Sequence, residues 1–332
     1  MAPVHAGALR SRGLQLRVGV ALLALLSSAC GQVGRQTTSS THWLTCDVDA
    51  TCANLGLEAR CESGYCVSEA GSRLARTLVM EEDFDVSALE LTAFDYETGY
   101  LLRNDEAQAY TDRPQNVRIE AGQLVLTALA ETFDAASFTS GSVTTSGAHS
   151  FAFGRIEARM QVPLGRGCST AFWLLPEAPG PEVNSCGDTG SCYLGTWPAW
   201  GDVTIANVQS RTPDRVLTSL NYGIWDDAVA GVRHGQVTSF APLEETADGW
   251  HVFALEWGPE RMEWFVDDEL VASTDLALPD LYLPQGENPF QKPFHIKLSL
   301  ALGGLDQAPV AEDYPQELRV DWVRVTQWLP EE

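Results

Sequence analysis

Alternation of apolar and polar residues is the feature that most restricts the fold of this chain. From about residue 78 to 328 it is divided into short stretches with a period of two, for example QLVLT at 123–127, RIEARMQV at 155–162 and MEWFV at 262–266. Such alternation is typical of half-buried strands, and glycines mark the turns between them. Because long helical patterns are absent, the sequence predicts one all-β domain at 78–328, a sandwich of two antiparallel sheets.

The charge balance excludes one class of partner. The 332 residues contain 45 acidic and 21 basic side chains, which gives a formal net charge of −24. Affinity for nucleic acid depends on cationic side chains that displace counterions from phosphates. We therefore expect no nucleic acid partner. At 45% hydrophobic residues, the chain has enough apolar material for a large core.

The N-terminus has the pattern of a secretion signal. Three arginines precede the apolar run 18–26, which is too short to span a bilayer core, and Ser27-Ser28-Ala29-Cys30 follows. This arrangement is similar to bacterial lipoprotein signals. We predict a signal peptide at 1–29, a lipid on Cys30, and a lipidated N-terminus and linker at 30–45. The expected location is the cell envelope, with the membrane contacted through the lipid anchor. Ordinary secretion with an incidental cysteine is the alternative.

A cysteine-rich segment follows at 46–69. Its four cysteines lie within 21 residues in a stretch with almost no apolar periodicity, so we predict two disulfides, with three connectivities open: Cys46, Cys52, Cys61 and Cys66. A zinc site is disfavoured because CxxC pairs are absent. Residues 70–77 are interpreted as a short second linker.

Three further cysteines lie in the predicted β domain. Cys186 and Cys192 flank a short polar loop and are predicted to close it with a disulfide. Cys168 is then either buried and free or paired with one of them.

The predicted β domain contains a series of distinctive motifs. They include TSGSVTTSG at 139–147, FGRIEARM at 153–160 and AFWLLP at 171–176, with further blocks at 104–108, 197–201, 250–257, 264–267, 301–304 and 314–325. In content and order these motifs resemble glycoside hydrolase family 16, the laminarinase and β-glucanase group. The resemblance implies a concanavalin-like β-jelly roll of two curved antiparallel sheets. In this family the polysaccharide lies across the concave face.

The family's catalytic strand departs from its usual pattern here. The resemblance implies a nucleophilic Glu, an assisting Asp and an acid/base Glu on one strand, with a β-bulge restoring their common face. This sequence has Asp202, Thr204 and Asn207 at those positions. An amide does not titrate near neutral pH, so Asn207 cannot protonate a leaving sugar oxygen.

The residues implied in ligand binding are largely retained. By the resemblance, the aromatic candidates for the cleft are Trp173, Trp197, Trp200 and Trp225. Core packing is the alternative for Trp173, and Trp200 either stacks on a sugar or partly plugs the cleft. The polar candidates are Asn104, Glu106, Arg159 and Asn221, with a surface pair to Glu157 as the alternative for Arg159. Core packing is expected for Trp250, Trp257, Trp264 and Trp322.

The family resemblance implies no catalytic cofactor but a structural Ca²⁺. The corresponding oxygen ligands are the side chains of Glu82 and Asp321 and the carbonyl of Gly122.

Four loop carboxylates are candidates for a replacement acid, and nothing in the sequence favours any of them: Glu182, Asp188, Asp226 and Asp227.

These features predict a surface-tethered, monomeric polysaccharide-binding protein with a β-glucan-like ligand and with catalysis lost or very weak. One alternative is an active, retaining endo-β-glucanase with a displaced acid/base. A second alternative is an envelope structural protein. The sequence does not specify the polysaccharide or its linkage.

Overall fold

A computed structural model describes most of the chain beyond its N-terminal segment. The described residues are 44, 46–49, 52, 59–85, 93–101, 103–177, 191–192, 195–228, 231–244, 246, 249–278, 280–283, 286–304 and 306–330. The predicted signal peptide, Cys30 and Cys186 lie outside them, and the side chain of Cys192 is not described. Within the described residues, no helix has the length and apolar character needed to cross a membrane.

Two large antiparallel sheets form the body of the protein. The eight-stranded sheet has the order β19-β18-β17-β10-β21-β7-β6, with β3 also paired to β21. Its strands are β3 (Leu74–Glu82), β6 (Val117–Ile119), β7 (Leu124–Ala128), β10 (Gly154–Gln161), β17 (Trp250–Trp257), β18 (Arg261–Val266), β19 (Glu269–Asp275) and β21 (Gln316–Pro330).

The seven-stranded sheet has the order β16-β15-β14-β11-β20-β9-β4. Its strands are β4 (Asp95–Tyr96), β9 (Ser142–Thr144), β11 (Cys168–Pro176), β14 (Asp202–Gln209), β15 (Arg215–Asp226), β16 (Gly231–Pro242) and β20 (Phe294–Leu302). The prediction of an all-β jelly roll with two antiparallel sheets is confirmed.

The described residues also form several short elements. Three strand pairs are β1 (Ala59–Glu62) with β2 (Tyr65–Ser68), β5 (Gln108–Tyr110) with β8 (Phe138–Ser140), and β12 (Ser191–Cys192) with β13 (Gly195–Thr196). Among the described residues, 3₁₀ turns span Arg103–Asp105, Pro289–Gln291 and Ala311–Asp313.

The core lies between the inner faces of the two sheets. Ile156, Ala158 and Met160 of β10 are fully buried, as are Phe172 and Leu174 of β11. Because side chains alternate along a strand, the residues between these point away from the core. This alternation gives each sheet a second, outer face, and the period-two pattern alone does not say which outer face binds a ligand.

The cysteine-rich segment is cross-linked and packs on the end of the sandwich. Its disulfides are Cys46–Cys61 and Cys52–Cys66, which confirms two bridges and selects one of the three connectivities. The small cluster around them includes Leu74, and Trp328 packs against it. Strand β3 therefore begins at Leu74, paired with Pro330, and not after a linker ending at 77.

Cys168 is buried and free. Burial raises the pKa of its thiol to about 12, so the thiolate is scarce near neutral pH.

Candidate functional site

Strand β14 presents Asp202, Thr204 and Asn207 on one face. Its register against β11 shifts, so that Trp173 pairs with Thr204 while Phe172 pairs with Ala206, and one extra residue is accommodated between them. This irregularity is the β-bulge expected from the spacing of the motif. Val203 and Val208 point into the core. We call the outer face of the seven-stranded sheet, which carries Asp202, Thr204 and Asn207, the site face.

Asp202 is almost completely buried and accepts two hydrogen bonds. The indole Nε1 of Trp197 donates to Oδ2 at 2.8 Å, and Nδ2 of Asn221 donates to Oδ1 at 2.7 Å. Burial raises the pKa of Asp202 to about 6, against the opposing effect of the bonds from Asn221 and Trp197. The carboxyl is therefore the group of this strand that titrates near physiological pH.

A histidine that sequence reasoning missed closes this arrangement. Nε2 of His234 lies 2.8 Å from Oδ1 of Asn221. Since the amide of Asn221 donates to Asp202, its oxygen accepts, and this assigns the proton of His234 to Nε2. The His234 ring lies 4.6 Å from the Trp197 ring, centroid to centroid. Burial lowers the pKa of His234, which favours the neutral ring.

Asn207 is fixed by the sheet around it. Its Nδ2 donates to Oγ of Ser169 and to the carbonyl of Thr170, both at 3.0 Å. Its Oδ1 accepts from Nε2 of Gln209 at 2.9 Å. The amide thus uses its donors and its acceptor within the protein, and it has no titratable proton to supply.

The bulge is also held from the core side. The indole Nε1 of the buried Trp264 donates to the backbone carbonyl of Thr204 at 2.9 Å. This contact fixes the backbone where the strand changes phase. The side chain of Thr204 is half-buried on the site face.

The four candidate tryptophans have different surroundings. Trp197 is 43% exposed and Trp225 is 44% exposed, and Trp225 stacks on Tyr282 at 5.6 Å. Trp173 is half-buried in the middle of the site face. Trp200 is 3% exposed, so it does not offer a ring for a sugar to stack on.

Asn104 and Glu106 lie beside the end of β20. Asn104 sits in a 3₁₀ turn with φ of 49°, and Glu106 forms an isolated bridge with Gly303. The carboxylate of Glu106 accepts from Nε2 of Gln108 at 2.8 Å. The structure therefore places both residues away from Asp202, toward the end of β14 that carries Gln209.

The expectation that Arg159 binds ligand in the cleft is not supported. Arg159 lies on β10 of the eight-stranded sheet and points away from the core, on the opposite side of the sandwich from Asp202. It forms an ion pair with Asp321 at 2.8 Å and lies 4.7 Å from the Trp250 ring. Arg159 therefore forms a surface ion pair, as the alternative interpretation predicted, but its partner is Asp321 and not Glu157.

The same ion pair bears on the calcium expectation. Asp321 is engaged by Arg159, and Oε1 of Glu82 accepts from the backbone N–H of Phe84 at 3.2 Å. The calcium site at Glu82, Asp321 and the carbonyl of Gly122 stays a prediction.

Two of the four tryptophans expected in the core lie elsewhere. Trp257 and Trp264 are buried. Trp250 and Trp322 are half-buried, with the guanidinium groups of Arg159 and Arg324 over their rings.

Two of the four candidate replacement acids lie within the described residues, and each contacts a neighbouring side chain. Asp226 pairs with Arg233, and Asp227 accepts from the indole of Trp225 at 2.8 Å. Glu182 and Asp188 lie outside the described residues. Neither Asp226 nor Asp227 is placed as a replacement acid over Asp202.

A buried ion pair lies on the other half of the site face. Nζ of Lys297 on β20 contacts Oε1 of Glu97, and the side chains are 1% and 4% exposed. Oγ of Ser142 donates to Oε2 of Glu97 at 2.8 Å. The Lys297 ammonium is 5.2 Å from the centroid of the Trp173 ring. Sequence analysis did not identify this pair.

The raised pKa of Asp202 has a testable consequence for stability. The folded state binds the proton more tightly than the unfolded chain, in which the pKa returns to an ordinary value of 3.8. The contribution of protonated Asp202 is thus complete at low pH and is lost as the pH rises through about 6. Relative to wild type, Asp202→Asn should gain on the order of 2–3 kcal/mol between about pH 4 and pH 7.5. Urea unfolding at both pH values tests this, and a constant difference contradicts it.

The sequence of the chain is similar to that of a known protein family. The profile of glycosyl hydrolases family 16 matches residues 104–185 and 228–324, so β14 lies between the matched segments. The chain is 33% identical over 259 residues to a beta-glucanase of Rhodothermus marinus, covering 76% of this chain and 85% of that protein.

Two further similarities concern a binding protein and a solved structure. The chain is 25% identical over 220 residues to a beta-1,3-glucan-binding protein of Penaeus monodon, covering 58% of this chain and 56% of that protein. The structure of the laminarinase from Rhodothermus marinus matches with a TM-score of 0.63 and 30% identity, covering 77% of this chain and 99% of that one.

Proposed function

Because the chain belongs to glycosyl hydrolases family 16, we propose that it is a surface-tethered protein that binds β-glucan-like polysaccharide and has lost most or all hydrolysis of O-glycosidic bonds. The site face retains exposed aromatic rings at Trp197 and Trp225. Aromatic rings bury the apolar faces of sugars, which supports binding. The tether rests on the sequence around Cys30 alone, and a monomer is expected.

Asn207 is the observation that carries the loss of hydrolysis. Retaining hydrolysis needs a carboxyl that protonates the leaving oxygen opposite a carboxylate nucleophile. Asn207 occupies the acid/base position implied by the family, and its amide is tied to Ser169, Thr170 and Gln209. General acid help is worth about 10²–10⁴ in rate, so the loss is large.

The relatives are compatible with either binding or cleavage. The proteins similar to this chain include a beta-glucanase and a beta-1,3-glucan-binding protein. The two matched segments of the family profile leave out residues 186–227, which contain Asp202, Thr204 and Asn207. A scaffold matched on both sides of an altered strand supports retained binding with altered chemistry.

Asp202 favours a second candidate, a weak retaining endo-glycosidase. Its carboxyl lies on the site face at the nucleophile position, with two donors that stabilise the ionised form. Asp is one methylene shorter than Glu, which moves the attacking oxygen back by roughly 1 Å, and displacements of that size can cost about a hundredfold in rate. The third candidate, a structural protein with a plugged cleft, has less support because Trp197 and Trp225 are exposed.

Binding and cleavage can be measured on the same preparation. We expect the purified protein to bind laminarin or mixed-linkage glucan without releasing reducing ends. Trp225→Ala should lower affinity on the order of tenfold, because it removes an exposed ring that a sugar can cover. Leu270→Ala serves as the matched control, since Leu270 is 54% exposed on β19 of the other sheet.

Two results would change the assignment. Release of reducing ends that disappears in Asp202→Ala would establish the weak hydrolase. If neither polysaccharide, nor agarose or carrageenan, is bound or cleaved, the proposed function is wrong.

A further inference from the structure

Strand β16, at the edge of the seven-stranded sheet, carries an aromatic ring that the family motifs do not include. Phe240 is 57% exposed. In the register of the sheet, Phe240 pairs with Leu217 of β15, and Leu217 pairs with Asn207 of β14. Directly paired residues project from the same face of a sheet, so Phe240 and Leu217 lie on the site face in line with Asn207.

These two side chains have no role in the core. Leu217 is half-buried, and neither it nor Phe240 belongs to the hydrophobic core cluster. The neighbouring site-face positions of β16 are polar, Gln236 and Thr238. A single exposed phenylalanine would need no explanation, but this ring adjoins a second apolar side chain and is continuous with the candidate site.

The spacing of the strands gives the reach of this patch. Neighbouring strands are about 4.8 Å apart, so the backbone at Phe240 lies roughly 10 Å from that at Asn207 across two strand spacings. This separation is comparable with the length of a disaccharide unit. A glucan chain that crosses the sheet over β14 and leaves at the β16 edge therefore reaches Phe240 with sugars beyond those over Asp202 and Asn207.

We propose that Phe240 and Leu217 form an additional saccharide-contacting platform, so that the protein selects longer neutral glucan chains over short ones. This inference rests on the proposed function and deepens it. The apolar face of a pyranose ring would cover Phe240, which is otherwise in water. Short oligosaccharides held near Trp197 and Trp173 would not extend to Phe240, because Trp197 packs on His234 and Phe240 lies about 20 Å further along β16.

Affinity measured against chain length tests the proposal. Calorimetry with laminaritriose and laminarihexaose should show tighter binding of the hexasaccharide by wild type. Phe240→Ala should lower hexasaccharide affinity roughly five- to tenfold and leave trisaccharide affinity unchanged. Phe240→Trp should keep the preference, and Leu270→Ala is the exposed apolar control on the other sheet. Circular dichroism confirms that each variant is folded.

The outcomes separate this inference from the function on which it rests. If wild type binds both oligosaccharides and Phe240→Ala weakens neither, or weakens both equally, the platform is wrong while glucan binding stands. If wild type binds neither laminari-oligosaccharide but binds another glycan, the platform as proposed is overturned while glycan binding stands. If it binds no glycan, the proposed function and this inference both fail.

Discussion

The triple variant Asp202→Glu, Thr204→Asp, Asn207→Glu should hydrolyse β-glucan at a rate that wild type does not approach. Wild type already has the bulge that brings positions 202, 204 and 207 to one face of β14. The substitutions therefore supply carboxyls to a strand whose phase is already suitable. Since general acid catalysis contributes about 10²–10⁴, the gain in reducing-end release should be at least of that order.

The double variant Asp202→Glu, Thr204→Asp is the matched control. It has the longer nucleophile and the neighbouring carboxyl but keeps the amide of Asn207. We expect it to remain close to wild type, because the leaving oxygen still receives no proton. If the double variant is as active as the triple, position 207 is not the acid/base. A folded triple variant without activity would show that the sugar subsites themselves have changed.

Substitution of Asn207 by Glu also removes hydrogen bonds that hold the strand. The Nδ2 of Asn207 donates to Ser169 and Thr170, and a carboxylate at that position has no donor to replace it. Oδ1 of Asn207 now accepts from Gln209, and a carboxylate can keep that bond. Thermal unfolding of the triple variant should therefore be compared with Asn207→Gln, which keeps an amide, so that loss of fold is not mistaken for loss of activity.

The fold was predictable because its signal is local and repeated. Alternation over 155–162 and 262–266 specifies strands with one buried face, and Ile156 and Met262 are buried as that pattern requires. The resemblance to the family's catalytic strand, with the spacing of Asp202, Thr204 and Asn207, likewise implied the bulge. Each of these features depends on neighbours within a few residues, which is the range that a single sequence shows.

The face on which Arg159 lies and the start of the domain could not be predicted from local sequence patterns. Arg159 alternates correctly with buried neighbours, but both sheets have an outer face, and only the assembled sandwich assigns Arg159 to the far one. The start of β3 at Leu74 depends on pairing with Pro330, more than 250 residues away. Similarly, His234 enters the site through the register of β15 and β16, which the sequence of β16 alone does not specify.

The buried pair Glu97 and Lys297 is another contact of this kind, and it carries the largest expected effect on stability. The two residues are 200 positions apart, and neither side chain is more than 4% exposed. Removing one partner leaves an uncompensated charge in a low-dielectric environment. Lys297→Met or Glu97→Gln alone should lower the free energy of unfolding by about 3–5 kcal/mol.

The double variant Lys297→Met, Glu97→Gln should lose much less stability than the two single losses added together. Without either charge, the desolvation cost of both ions is removed, and buried ion pairs replaced by uncharged side chains are often close to neutral in stability. Urea unfolding of the four proteins gives the coupling energy directly. Additive losses would mean that the two charges do not interact, which contradicts the expected coupling. Because Lys297 also lies against the Trp173 ring, glucan affinity measured on the folded double variant shows whether this cation orients a ring of the site face.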